Sequence, residues 1–168
     1  YVVPTKNQGG FSFETLKALL GPWLSSAAPK VFHDAKYARH VLSNMDLTLG
    51  GIPDDVMLAS YILEAHMNHT LSGLSLRHLA TPLVEEEAIF GKGALRQKAA
   101  DVDLAKAYPW LAQEAVVIKA LGSVLSEKLA REKALMSLYR QMELPVSAVL
   151  WSMERTGVCI DTRLLAQE

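Results

Sequence analysis

Between Val31 and Leu63 the sequence VFHDAKYARHVLSNMDLTLGGIPDDVMLASYIL changes its apolar period repeatedly, and that order constrains the fold more than any other stretch. Val31-Phe32-His33 is short and apolar, the pattern of a buried strand. Asp34 is placed to cap a helix over Ala35–Leu42, with Tyr37, Val41 and Leu42 on one side. Asn44-Met45-Asp46 reads as a turn, and Leu47-Thr48-Leu49 alternates like a second strand before Gly50-Gly51 and Pro53 break the pattern. Asp54 or Asp55 then caps a helix from Val56 to about Glu64, with Met57, Tyr61 and Ile62 expected to face inward. Strand, helix, strand, helix at this spacing predicts an α/β layer rather than a helix bundle.

The flanks are read the same way. Tyr1-Val2-Val3-Pro4 is strand-like, and Lys6 to Gly10 is a polar turn. Ser12 caps a helix carrying Phe13, Leu16, Leu19 and Leu20, which Gly21-Pro22 is expected to end. Beyond Leu63 the pattern is helical: Ser72 to Leu79, Glu85 to Phe90, then apolar residues at three and four from Asp103 to Met142. Pro109 suits a first turn, so this long helix is expected to start near Tyr108, with Gly122 its weakest point. Pro145 opens another helix to Arg155, Thr156-Gly157 closes it, and Val158-Cys159-Ile160 reads as a last short strand. Asp161 caps one more helical start. Both ends read as cuts through continuing structure, which suggests a piece of a longer polypeptide.

With 168 residues, half of them hydrophobic, the chain has the length and composition to bury one core. Seventeen basic against eighteen acidic residues leave a net charge of −1, which argues against a broad basic surface for nucleic acid. The single Cys159 has no partner for an internal disulfide, as suits a reducing compartment. No apolar run approaches the roughly 18 residues of a membrane span. No charged-then-apolar leader stands at the start.

Candidate chemistry is sparse. Glu64, His66 and His69 lie close in sequence, and the two histidines share a face if the helix reaches them, but zinc wants three or four protein ligands. A solvated helix end accounts for them better. Asn68-His69-Thr70 fits a glycosylation pattern that matters only in a secreted chain. Glu85-Glu86-Glu87 suits the positive end of a helix dipole. Lys92, Arg96 and Lys98 lie in a flexible basic loop that could touch phosphates weakly, although its spacing is not that of a P-loop.

Longer motifs say more. Lys30-Val-Phe-His-Asp-Ala-Lys-Tyr-Ala-Arg-His-Val-Leu42 and Gly51-Ile-Pro-Asp-Asp-Val-Met-Leu-Ala-Ser-Tyr-Ile-Leu63 resemble the middle of the 3′–5′ exonuclease domain of bacterial family A DNA polymerases, the DNA polymerase I type. The likeness continues through Leu74-Ser-Leu-Arg-His-Leu79, the Phe90-Gly-Lys-Gly93 loop and Ala112 to Leu121. Glu143-Leu-Pro-Val-Ser-Ala-Val-Leu-Trp-Ser-Met-Glu-Arg-Thr-Gly-Val-Cys-Ile-Asp161 is similar to the entry into that family's polymerase domain. The resemblance implies a ribonuclease-H-like exonuclease fold over residues 1–142, lacking its first strands, and the start of a polymerase domain over 143–168.

Exonucleases of this family hold two divalent ions, magnesium or manganese, roughly 4 Å apart on carboxylates. The first carboxylate motif would lie upstream of Tyr1. The second falls on Ala38, which has no oxygen to give. The third, a Tyr and an Asp four residues on, falls on Trp110 and Glu114. The resemblance therefore implies an exonuclease-like domain that has lost its catalytic and metal residues and supports the polymerase. The alternative is an active two-metal exonuclease with its first motif upstream and Glu114 as a ligand. The implied partners are the polymerase domain of the same chain and, through it, DNA. The implied location is the bacterial cytoplasm.

Overall fold

The computed structural model describes residues 12–98 and 101–166. The strand expected at Tyr1–Pro4 and the turn at Lys6–Gly10 lie outside the described residues. The elements run α1 (Phe13–Ser25), β1 (Val31–Phe32), α2 (Ala35–Asn44), β2 (Asp54–Asp55), α3 (Val56–Leu63), α4 (Leu71–Leu79), α5 (Glu86–Phe90), α6 (Leu104–Ala130) and α7 (Lys133–Leu138). A π turn over Tyr139–Glu143 then leads into α8 (Leu144–Thr156), and α9 (Thr162–Leu165) follows.

The strand–helix–strand unit forms, but not with the strand the alternation suggested. Val31 pairs with Asp54 and Phe32 with Asp55 in a parallel ladder, with α2 as the crossover. Leu47-Thr48-Leu49 is not a strand. Its alternation is real, since Leu47 and Leu49 are buried and Thr48 is exposed. The buried pair fills a small core with Leu24 rather than joining a sheet. The Leu49 and Gly51 carbonyls accept from the Arg39 guanidinium at 2.7 and 2.9 Å, and the Gly50 N–H donates to the Leu24 carbonyl. Gly50 is required there because a Cβ would sit 1.9 Å from the Ser25 carbonyl oxygen.

The main core lies where α3, α4 and α6 meet under β1. Val117, Leu121, Leu125 and Leu129 stack at four-residue spacing along α6 and are buried with Val56, Ala59, Leu74, Tyr139 and Leu144. Truncating one such leucine to alanine costs about 2–5 kcal/mol. Gly122 does not weaken this helix. It lets α6 pass over β1, where a Cβ would approach Val31 Cγ2 to 3.0 Å.

Two prolines proved poor guides to helix ends. α1 continues through Pro22 to Ser25, and α6 begins at Leu104, capped by Asp103, and continues through Pro109. In each case the proline and the residue four before it, Ala18 or Ala105, are exposed, so the carbonyl deprived of a donor can turn to water. The long pattern instead breaks at Arg131-Glu132. Three further expectations are corrected. On α3 Val56, Ala59 and Ser60 are buried and Ile62 packs against the core as expected, while Tyr61 is half-exposed. α3 ends at Leu63, so His66 and His69 share no helical face. Val158–Ile160 is exposed and unpaired, and so forms no strand.

Candidate functional site

Asp34 turns the chain from β1 into α2. It adopts a left-handed conformation, φ 62°, which aspartate tolerates better than most residues, and its carboxylate accepts the Tyr37 N–H at 3.0 Å. The side chain is thus spent on the cap, as the sequence suggested. One turn on, Ala38 lines an open groove of about 660 Å³ with Trp23, Phe32, Tyr37, Val41 and Lys119. The groove wall is largely apolar. Buried Lys30 at its edge donates to the Ser26 and Ala28 carbonyls at 2.7 and 3.0 Å and lies 5.3 Å from the centre of the Trp23 ring.

Trp110 and Glu114 are one turn apart on α6. The Trp110 indole N–H donates to the Val84 carbonyl at 3.1 Å, and its ring meets Phe90 edge-on at 5.5 Å. Gln113 adds bonds to Val84 and Pro82, so this part of α6 straps down the Pro82–Val84 segment. Glu114 is half-buried. Burial and the nearby Glu86 carboxylate push its pKa above the usual range, with a smaller opposing pull from His33. Glu114 thus lies within electrostatic reach of both Glu86 and His33, while the Trp110 indole is held by Val84 and Ala38 opens on the groove.

The basic loop is not a set of free cations. Lys92 pairs with Glu87 at 3.1 Å, and Arg96 pairs with Glu86 at 2.5 Å while stacking on Phe90. Lys98 is exposed at its end. Nor is the Glu64–His69 segment simply a solvated helix end. Glu64 pairs with Arg77 at 2.8 Å, and His69 joins Ser60 through Nδ1 at 2.9 Å, with its carbonyl 2.8 Å from His33 Nε2. Ala65, His66, Met67 and Asn68 between them face water as expected. Thr70, from the glycosylation pattern, caps α4 instead.

The most connected polar site went unrecognised in the sequence. Asp55, 1% exposed, accepts the N–H groups of Asp34, Ala35, Met57 and Leu58, so one carboxylate caps α3 and holds the entry to α2. Burial nevertheless outweighs those four bonds and raises its pKa. From the far end of the chain, the Tyr139 hydroxyl accepts the Asp55 N–H at 2.8 Å and donates to Asp54, which also pairs with Arg140 at 2.7 Å. Burial raises the Tyr139 pKa further above its ordinary value, so the phenol stays protonated. The adjacent aspartates signalled a cap. Nothing local could signal a tyrosine 84 residues away.

Two divalent cations would need several carboxylate oxygens facing one space. Ala38, Trp110 and Glu114 supply a single carboxylate, and the one indole N–H is a donor already used. Among the described residues no group of three or more His, Cys, Asp and Glu could hold a metal ion. This donor set does not fit a metal pair.

The model of the family described as "DNA polymerase I, ribonuclease H-like domain" matches residues 11–121. The chain is 36% identical over 150 residues to DNA polymerase I of Mycobacterium leprae, covering 88% of this chain and 16% of that protein. It is 33% identical over 139 residues to DNA polymerase I of Pseudomonas aeruginosa, covering 81% and 15%. Among solved structures, the "POL domain of Pol1 from M. smegmatis complex with DNA primer-template and dNTP" matches with a TM-score of 0.73 and 31% identity, over 90% of this chain and 23% of that one. The chain thus spans about a sixth of the length of these polymerase relatives. No described helix is long and apolar enough to cross a membrane.

Proposed function

The chain belongs to the family of the DNA polymerase I ribonuclease H-like domain, and on that premise we propose that its exonuclease reaction has been lost and that the domain serves as a support for a polymerase. The observation that carries the reading is Ala38. Its methyl group stands on the groove wall where the exonuclease pattern calls for a carboxylate. Trp110 supports the same reading, because its N–H is committed to Val84 and it has no hydroxyl to place a water. Glu114 alone is a poor metal ligand. It is the single carboxylate among the three positions, and one carboxylate cannot by itself hold two mutually repelling dications.

In this reading the partners are the polymerase domain of the same polypeptide and, through it, primer-template DNA. The location is the bacterial cytoplasm. Residues 1–142 form the exonuclease-like body and residues 143–168 begin the polymerase domain. The loop bearing Lys92, Arg96 and Lys98 makes at most weak, salt-sensitive phosphate contacts, since two of its cations are paired with Glu87 and Glu86 of α5.

The test is digestion of 3′-labelled single-stranded DNA by the full-length protein with magnesium or manganese. No metal-dependent release of 3′ mononucleotides is expected, and Glu114→Gln should change nothing. Release of mononucleotides that Glu114→Gln abolishes would overturn the proposal in favour of an active two-metal exonuclease.

A further inference from the structure

α4 is lightly held by its apolar side chains. Leu74 is its one buried hydrophobic residue, and Leu76 is exposed. α6, against which it packs, sends Val117, Leu121, Leu125 and Leu129 into the core. The last turn of α4 therefore relies on polar contacts, which Arg77 and His78 supply.

The His78 side chain is 1% exposed, and three charged groups face it. From α6, Lys128 Nζ lies 2.9 Å from Nδ1. An ammonium has only donors, so Nδ1 accepts and the ring is neutral, with its proton on Nε2. From the residue that ends α3, Glu64 Oε2 lies 3.7 Å from Nε2, too far for a hydrogen bond. That same oxygen is paired with Arg77 Nε at 2.8 Å, on the helix of His78 itself. The Arg77 guanidinium also donates to the Asn68 carbonyl at 3.0 Å and to Ser60 Oγ at 3.2 Å, and Ser60 joins His69 Nδ1. His69, the next imidazole along, is thus two side chains removed from the ring.

We propose that His78 is an acid-sensitive latch between α4 and α6: neutral, it accepts from Lys128, and a proton on Nδ1 breaks that bond and lets α4 open ahead of the core. The proton takes the lone pair that Lys128 uses and leaves an imidazolium 2.9 Å from an ammonium. Glu64 offsets this only in part, because Arg77 already neutralises it. Burial, followed by the Lys128 charge, holds the pKa of the ring below the ordinary histidine value. The closed form thus resists a proton that the opened form takes up. The contribution of the latch is fully present above the ordinary histidine pKa and is lost as pH falls toward the lowered folded value.

The test is hydrogen–deuterium exchange of the full-length protein read by peptide mass spectrometry, corrected for the pH dependence of chemical exchange. From about pH 7.5 to about pH 5.5, protection of α4 should fall about fivefold relative to residues 117–125 of α6, and one imidazole gives at most about tenfold. His78→Asn keeps an oxygen near the Nδ1 position but cannot titrate, so its ratio should stay flat. Lys128→Met removes the donor, so its ratio should start lower at the higher pH and change less. An unchanged parent ratio would overturn the proposal. So would a fall that persists undiminished in whichever variant folds, which would assign it to another group such as His69. A fall shared equally by residues 117–125 would also overturn it, as global unfolding rather than release of α4.

Discussion

Replacing Asp55 by alanine removes one carboxylate and strands four N–H groups. Loss of the α3 cap, formed by the bonds to Met57 and Leu58, costs about 0.5–2 kcal/mol. The buried Ala35 amide, 2.7 Å from Oδ2, is left with no acceptor, at about 1–3 kcal/mol. Relief of the buried charge offsets part of this, so Asp55→Ala is expected to cost about 2–4 kcal/mol. Asp55→Asn should fall between alanine and the parent: its single oxygen can keep the α3 cap while its amide meets the Ala35 donor. Because the folded pKa of Asp55 is raised, its contribution is fully present below the unfolded carboxylate pKa and declines as pH rises through the folded value. The deficit of the alanine variant should therefore be larger in mild acid than at neutral pH. Urea unfolding followed by far-ultraviolet circular dichroism at several pH values measures it. A cost below about 1 kcal/mol, or an asparagine variant weaker than alanine, would refute the reasoning.

Other expectations follow from the same geometry. Tyr139→Phe leaves the Asp55 N–H unpaired and should cost about 1–3 kcal/mol by the same unfolding measurement. Gly122→Val forces a side chain against Val31 and should cost about 1–3 kcal/mol despite the better helix propensity of valine, whereas an exposed glycine in a helix would show a gain. The Glu154 pKa is lowered, chiefly by its bond to Lys36 and then by that to His40. Its contribution is present above the ordinary glutamate pKa and lost as pH falls through the lowered folded value, so Glu154→Gln should flatten the acid limb of stability against pH.

The sequence was most legible where structure is local. Asp34 and Ser12 cap the helices expected of them, and Val31–Phe32 is a strand. The i, i+4 leucines of α6 line the core. It misled where a local preference met a particular environment. Pro22 and Pro109 lie inside helices at exposed positions, where the carbonyls they deprive can turn to water. Gly122 is a crossing point rather than a break, and Leu47–Leu49 alternates over a small core without a partner strand. The candidate site divided the same way. Ala38, Trp110 and Glu114 could be named only through the family likeness, and their separate surroundings emerged from folding. The Asp55–Tyr139 link depends on contacts between distant parts of the chain, which no window of sequence contains.

Arg39 has a consequence for life in a crowded cell. The stretch from Leu47 to Ile52 lies outside any helix or strand and carries two backbone carbonyls that a passing strand could use as a template, the usual first step of edge-to-edge association. A guanidinium from the neighbouring helix occupies both, at Leu49 and Gly51. Arg39 thus works as a plug against self-assembly as well as a brace. An Arg39→Met chain, similar in length but without donors, should aggregate sooner on heating than its loss of stability alone would predict.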